Sequence, residues 1–196
     1  MSNLLNVAET IAQLPTMHWS VTRYHDMIAA GVFDDHDKVE LLFGKITRMS
    51  PIGAQHGKVV NRLLRIFSSA LPASDYTLGI QNPVTLLDDT EPEPDIYVAR
   101  GPLENYDQHP GGEDLLLVIE VSDTTLVRDR TAKLLAYALS SVEEYWIVNI
   151  YEKQIERFTD PRPTEGAYAN REVFRRGETV RSLHVGDFAV DDLLVE

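Results

Sequence analysis

The run Leu115-Leu116-Leu117-Val118-Ile119-Glu120-Val121 constrains this chain more than any other stretch. It is a short, unbroken apolar segment bounded by polar loops, the composition of a strand covered on both faces. One carboxylate, Glu120, interrupts it. An unpaired ionised carboxylate is too costly to bury, so such a group must be paired, protonated or bound to a metal. Pro94-Asp95 opens a second apolar strand at Ile96, and a helical pattern carrying Lys133 follows the first. Two carboxylates on neighbouring strands, with a lysine on the next helix, point towards metal-dependent phosphodiester chemistry.

The rest of the chain supplies the frame. Residues 54–71 have the clearest helical pattern, with Val59, Val60, Leu63, Leu64, Ile66, Phe67, Ala70 and Leu71 in one broad stripe and Pro72 as its stop. This helix is expected to pack on the sheet that holds the strands at Ile96 and Val118. Ser20 caps a short helix that runs to about Ala30, where Gly31 suits its end. Val39 to Met49 reads as two strands turning at Phe43-Gly44-Lys45. Further strands are expected at Tyr76–Ile80, Val84–Leu87, Glu143–Ile150, Gln154–Thr159, Arg171–Arg175 and Thr179–Leu183. A helix is expected from Val127 to Leu139, and polar loops over 101–113 and 160–170. The pattern predicts an N-terminal arm over residues 1–19 and one mixed α/β domain over 20–196, a central sheet flanked by helices.

Composition narrows the chemistry. The 196 residues contain no cysteine, which excludes disulfides and cysteine-ligated zinc. No stretch approaches the roughly 18 apolar residues of a membrane span, and Met1 to Leu14 lacks a basic leader. A cytoplasmic protein without membrane attachment is expected. The formal net charge is −13, from 18 Lys and Arg against 31 Asp and Glu, which opposes nucleic-acid binding by bulk electrostatics. Gly-rich phosphate loops, G-x-S-x-G and H-E-x-x-H are absent. A two-carboxylate glycosidase would need no lysine and would want an aromatic sugar platform.

The trio Asp95, Glu120 and Lys133 resembles the PD-(D/E)xK nuclease superfamily, and the wider pattern resembles its Uma-type restriction endonuclease branch. The matching segments are Val39-Glu40-Leu41-Leu42-Phe43-Gly44-Lys45-Ile46, Met49-Ser50-Pro51 with His56, and Glu93-Pro94-Asp95-Ile96. They continue with Leu117-Val118-Ile119-Glu120-Val121-Ser122, Asp129-Arg130 with Lys133 and Tyr137, and Val142-Glu143-Glu144-Tyr145-Trp146-Ile147-Val148. Ser122 stands where the superfamily usually has its lysine, and Lys133 matches the branch's displaced lysine.

The resemblance implies a restriction-endonuclease-like core and an endonuclease cutting DNA by water activated on Mg²⁺ or Mn²⁺. Asp95 and Glu120 would hold the metal and Lys133 would assist attack. Glu40 is either an auxiliary acid or an edge-strand acid facing water. His56 is either a phosphate or proton-transfer group or a solvated cap. Gln81, just before Pro83, is expected to face the site, and Tyr137, one turn beyond Lys133, to belong to the core or to support the site from behind rather than to act catalytically. By spacing alone, Asp129 and Lys133 would form an ordinary i,i+4 ion pair. A two-fold homodimer is expected of a nuclease that cuts both strands. The competing reading, favoured by the charge, is a nuclease-fold interaction module without catalysis.

Overall fold

The computed structural model describes residues 16–34 and 36–195. Most of the expected arm, residues 1–15, lies outside the described residues. The core is a six-stranded sheet of order β3-β4-β5-β6-β7-β8. Its strands are β3 (Tyr76–Ile80), β4 (Ile96–Arg100), β5 (Leu115–Ser122), β6 (Glu144–Asn149), β7 (Gln154–Arg162) and β8 (Ala167–Arg175). Neighbours are antiparallel except β5 and β6, which run parallel.

A parallel pair needs a crossover, and residues 126–139, here α3, supply it. This helix is α-helical over Leu126–Arg128 and Leu134–Leu139, with a π turn over Asp129–Lys133 between them. Every residue of β5 is buried, as its unbroken apolar run requires. Leu117, Ile119 and Val121 face one layer; Val118 faces the other.

The first layer is α2 (Ala54–Ala70), which lays Val59, Val60, Leu63 and Phe67 on β4, β5 and Trp146 of β6. Complete burial of Leu63 and Phe67 contributes about 1.5–3 kcal/mol each. The helix ends at Leu71, which is extended (φ −107°, ψ 118°) because Pro72 disfavours helical backbone before it. The second layer is α3, where Tyr137 packs with Val118, Tyr145 and Ile147. The short pair β9 (Thr179–Arg181) and β10 (Asp187–Ala189), with α4 (Val190–Leu193), adds Val180, Phe188 and Leu193 to the α2 side.

Outside the sheet, α1 (Val21–Ala29) starts at Ser20, whose Oγ accepts from the Arg23 N–H, and is followed by Gly31 at φ +68°. β1 (Val39–Leu42) and β2 (Lys45–Arg48) form the expected hairpin. Phe43 and Gly44 both take positive φ, as a two-residue turn matching strand twist demands. Leu41 and Glu91 exchange backbone hydrogen bonds, which docks the hairpin on the segment leading to β4.

Two expected elements differ. Val84–Leu87 is not a regular strand but a run with isolated bridges, Thr85 to Gly111 and Leu87 to Thr90. Residues 160–170 are mostly ladder: β7 and β8 pair through Pro161–Tyr168 and Arg162–Ala167, leaving only 163–166 as the turn. Pro161 and Pro163 make this stretch look like a loop, yet the ladder accommodates Pro161 at the far end of its hairpin.

Candidate active site

The register of β4 and β5 decides where the carboxylates go. Ile96 pairs with Ile119 in an antiparallel ladder, so one step further Asp95 and Glu120 come opposite each other on one face. Asp95 is 8% exposed and Glu120 4%. Both line a cleft of about 510 Å³, together with His56, Gln81, Glu93 and Lys133.

Asp95 is held from three sides. Its Oδ2 accepts from the Val121 backbone N–H at 2.8 Å and lies 3.0 Å from His56 Nε2. Its Oδ1 accepts from Gln81 Nε2 at 3.3 Å. Gln81 has φ +48°, a left-handed backbone that costs a non-glycine residue energy and is held by its N–H bonding to the carbonyls of Pro94 and Asp95. His56 sits in the first turn of α2, as expected. Burial pulls its pKa down, but the Asp95 hydrogen bond and charge, with Asp123 and Asp129, outweigh this and hold it above the ordinary value. Its Nδ1 is buried without a partner among the described residues.

Glu120 points towards α3. Its Oε1 accepts from Lys133 Nζ at 2.7 Å and from the Tyr137 hydroxyl at 2.6 Å. Burial pushes its pKa up to about 8; Lys133 opposes this, and Asp129 and Asp95 reinforce it. Lys133 is 2% exposed. Desolvation disfavours its charge, but Glu120, Glu40 and Asp129 overcome that and raise its pKa. Lysine therefore carries the charge of the buried pair, and a second cation in the cleft would favour ionised Glu120.

Glu40 is not the water-facing acid that one reading of its strand allowed. It is completely buried, with Oε2 at 3.3 Å from Lys133 and Oε1 at 3.4 Å from Arg128. Its Oε2 also accepts from the Glu93 N–H. Oε1 has no hydrogen bond among the described residues and is met instead by the Arg128 charge. The i,i+4 pairing of Asp129 with Lys133 does not form. Asp129 instead accepts from the hydroxyls of Ser122 and Thr125, so Ser122, standing where a lysine is usual, braces α3 against β5. The π turn brings Lys133 towards the acids and keeps Tyr137 one turn on, over the same carboxylate.

The fold thus brings Asp95, Glu120, Lys133, His56 and Gln81 to one cleft, with Glu40 buried behind Lys133. Sequence reasoning left Tyr137 between the core and the support of the site, and gave no role to Arg128 or Glu93. Tyr137 and Glu93 stand in the matching segments and Arg128 beside one, but nothing in the sequence pairs Arg128 with Glu40.

A mixed sheet with helices on both faces, and two acids meeting a lysine at a strand end, define the class as a restriction-endonuclease-like α/β fold. The chain belongs to the Uma2 family, whose description is "Putative restriction endonuclease" and whose sequence model matches residues 21–191. Among solved structures it is similar to a "putative nuclease belonging to DUF820" from Anabaena variabilis ATCC 29413. That likeness has a TM-score of 0.64 at 17% identity, covering 82% of this chain and 92% of that one. No curated protein matches. Among the described residues, no helix is long and apolar enough to cross a membrane.

Proposed function

We propose that this protein is an endonuclease that hydrolyses DNA phosphodiester bonds with Mg²⁺ or Mn²⁺ held by Asp95 and Glu120. The observation that carries the reading is the convergence of two strand-end carboxylates with a buried, charged lysine in one cleft. The donor set fits the ion. Hard oxygen ligands suit Mg²⁺, which binds through one or two carboxylates and keeps several waters. Glu120 leaves Oε2 without a protein hydrogen bond among the described residues, because Lys133 and Tyr137 both use Oε1. When bound, the metal would supply an activated water and stabilise charge on the phosphoryl oxygens.

The chain's own groups set up the rest. His56, Gln81 and the Val121 N–H orient Asp95 so that its position does not depend on the ion. Tyr137 and Lys133 fix Glu120 in the same way. Lys133 offsets the mutual repulsion of Glu40 and Glu120, and its ammonium can hold a water or a phosphate oxygen beside them.

The −13 charge is not evenly spread. Lys58, Arg62 and Arg65 follow one another at helical spacing along the outer side of α2, beginning half a turn past His56. Among the described residues none of the three pairs with a carboxylate, and Arg62 bonds to the Asp192 carbonyl. This stripe lines a separate shallow pocket with Asn61 and Val195, and its charge suits phosphate contacts.

The test is cleavage of plasmid and single-stranded DNA with Mg²⁺ and with Mn²⁺, alongside calorimetric titration of each metal. Wild type should cut and bind metal; Asp95→Asn and Glu120→Gln should do neither. Neither cleavage nor metal uptake by wild type would favour the interaction module, which the overall acidity supports.

A further inference from the structure

A second cluster lies outside the cleft. His25 of α1, Glu91 of the segment before β4, and His109 of the 101–113 loop bring three ligand atoms within 4.8 Å of one another. They come from three parts of the chain far apart in sequence. We propose that His25, Glu91 and His109 form a transition-metal site, best suited to Zn²⁺, that clips the 101–113 loop to α1.

The donors have the right chemistry. Two imidazoles and one carboxylate are a familiar zinc set, with the fourth position left to water. The carboxylate is already fixed. Glu91 is 2% exposed, and its backbone exchanges hydrogen bonds with Leu41. Its Oε2 accepts from the Thr85 hydroxyl at 2.6 Å, the kind of outer hydrogen bond that orients a metal-binding carboxylate.

The Glu91 Oε1 lies 2.6 Å from His25 Nε2. A metal would replace the proton between them. The His25 and His109 rings stand edge-on, 6.3 Å apart between centroids and 77° between planes, so neither stacks on the other. Donors of a tetrahedral zinc lie about 3.3 Å apart, given bonds of about 2.0–2.1 Å. Rotation of the exposed His109 side chain towards the His25–Glu91 pair closes that gap.

The site has space and a purpose. It opens on a cavity of about 310 Å³ lined by Tyr24, Ile28, Pro83 and Glu93 as well as the three ligands. Just past His109 the loop is tied to the fold by the Thr85 N–H bonding to the Pro110 carbonyl, within the Thr85–Gly111 bridge. A metal at His109 would add a cross-link where that attachment begins.

The experiment uses the full chain, stripped with chelator and titrated with Zn²⁺ by calorimetry. Co²⁺ replaces zinc in a parallel sample, to read tetrahedral coordination from its visible absorption. Wild type should take up one Zn²⁺ at this site. His25→Ala and His109→Ala, both surface changes, should weaken it by more than about 100-fold, and Thr85→Val by about 10–100-fold. Asp95→Asn should leave it unchanged, which separates this site from the proposed Mg²⁺ cleft. Zinc should also slow proteolysis within 101–113 in wild type but not in His109→Ala. No zinc uptake by wild type, or uptake lost in Asp95→Asn but kept in both histidine variants, would overturn the proposal.

Discussion

Replacing Lys133 with methionine tests the electrostatics of the cleft directly. The side chain keeps most of its volume, so the perturbation is the lost ammonium. In the native protein that charge lies 2.7 Å from Glu120 and 3.3 Å from Glu40, both buried. Removing one partner of a buried ion pair costs about 3–5 kcal/mol, because the remaining charge is left without compensation. Arg128 still reaches Glu40 at 3.4 Å, so the stranded group is Glu120. Its folded pKa is already pushed up to about 8, and losing Lys133 pushes it further. An acid whose folded pKa is raised binds more protons folded than unfolded. Its stability contribution is therefore lost as pH rises from the unfolded value through the folded one. At pH 5.5 Glu120 is a neutral acid in both folded proteins, so the penalty of Lys133→Met should be small there, about 1 kcal/mol. It should grow as pH rises past 8, where wild type ionises Glu120 against Lys133 and the variant keeps it protonated. With a urea slope of about 2 kcal/mol/M, the limiting loss at alkaline pH is a midpoint lower by about 1.5–2.5 M. A loss that does not grow between pH 5.5 and pH 9.5 would refute the assignment of Lys133 as the compensating charge.

Three further outcomes follow from the geometry. Asp95→Asn removes the charge that holds His56 up against burial, so the His56 titration followed by NMR should fall below the ordinary histidine value of about 6.5. Tyr137→Phe deletes the 2.6 Å donor to Glu120 and should cost about 1–2 kcal/mol in denaturant unfolding; no change would mean the hydroxyl is not holding that carboxylate. Gly112→Ala places a Cβ 2.0 Å from the Ser140 carbonyl oxygen, which cannot turn aside as a side chain can. It should lower Tm by several degrees, at about 2–4 °C per kcal/mol for a chain of this size, and an unchanged Tm would show that the backbone there yields freely.

The main frame was legible because its signals are local. The apolar run of β5, the stripe of α2 and the Phe43-Gly44 turn each encode their element within a few residues. The failures came where a partner distant in sequence decides the outcome. Val84–Leu87 has strand composition, but Thr85 bridges to Gly111 and its neighbours find no continuous ladder. Glu40 looked equally suited to water or to a site, because its cationic partners Arg128 and Lys133 lie some ninety residues away. Lys133 itself was misdirected by spacing: Asp129 is four residues back on the helix, yet Ser122 and Thr125 claim it. Only the resemblance pointed Lys133 at Glu120.

The π turn of α3 has a consequence for how such proteins can be found. Its signature is the Leu134 N–H bonding five residues back to the Asp129 carbonyl, one residue more than an α-helix would use. Each residue of an α-helix turns the chain by about 100°, so one extra residue swings a side chain to a different side without disturbing the sheet below. Acid and lysine here stand thirteen residues apart in the chain and 2.7 Å apart in space. A search keyed to a fixed interval between them would pass over this chain. One that asks which helix lies over the acid-bearing strand, and which of its cations a bulge rotates inward, would find it.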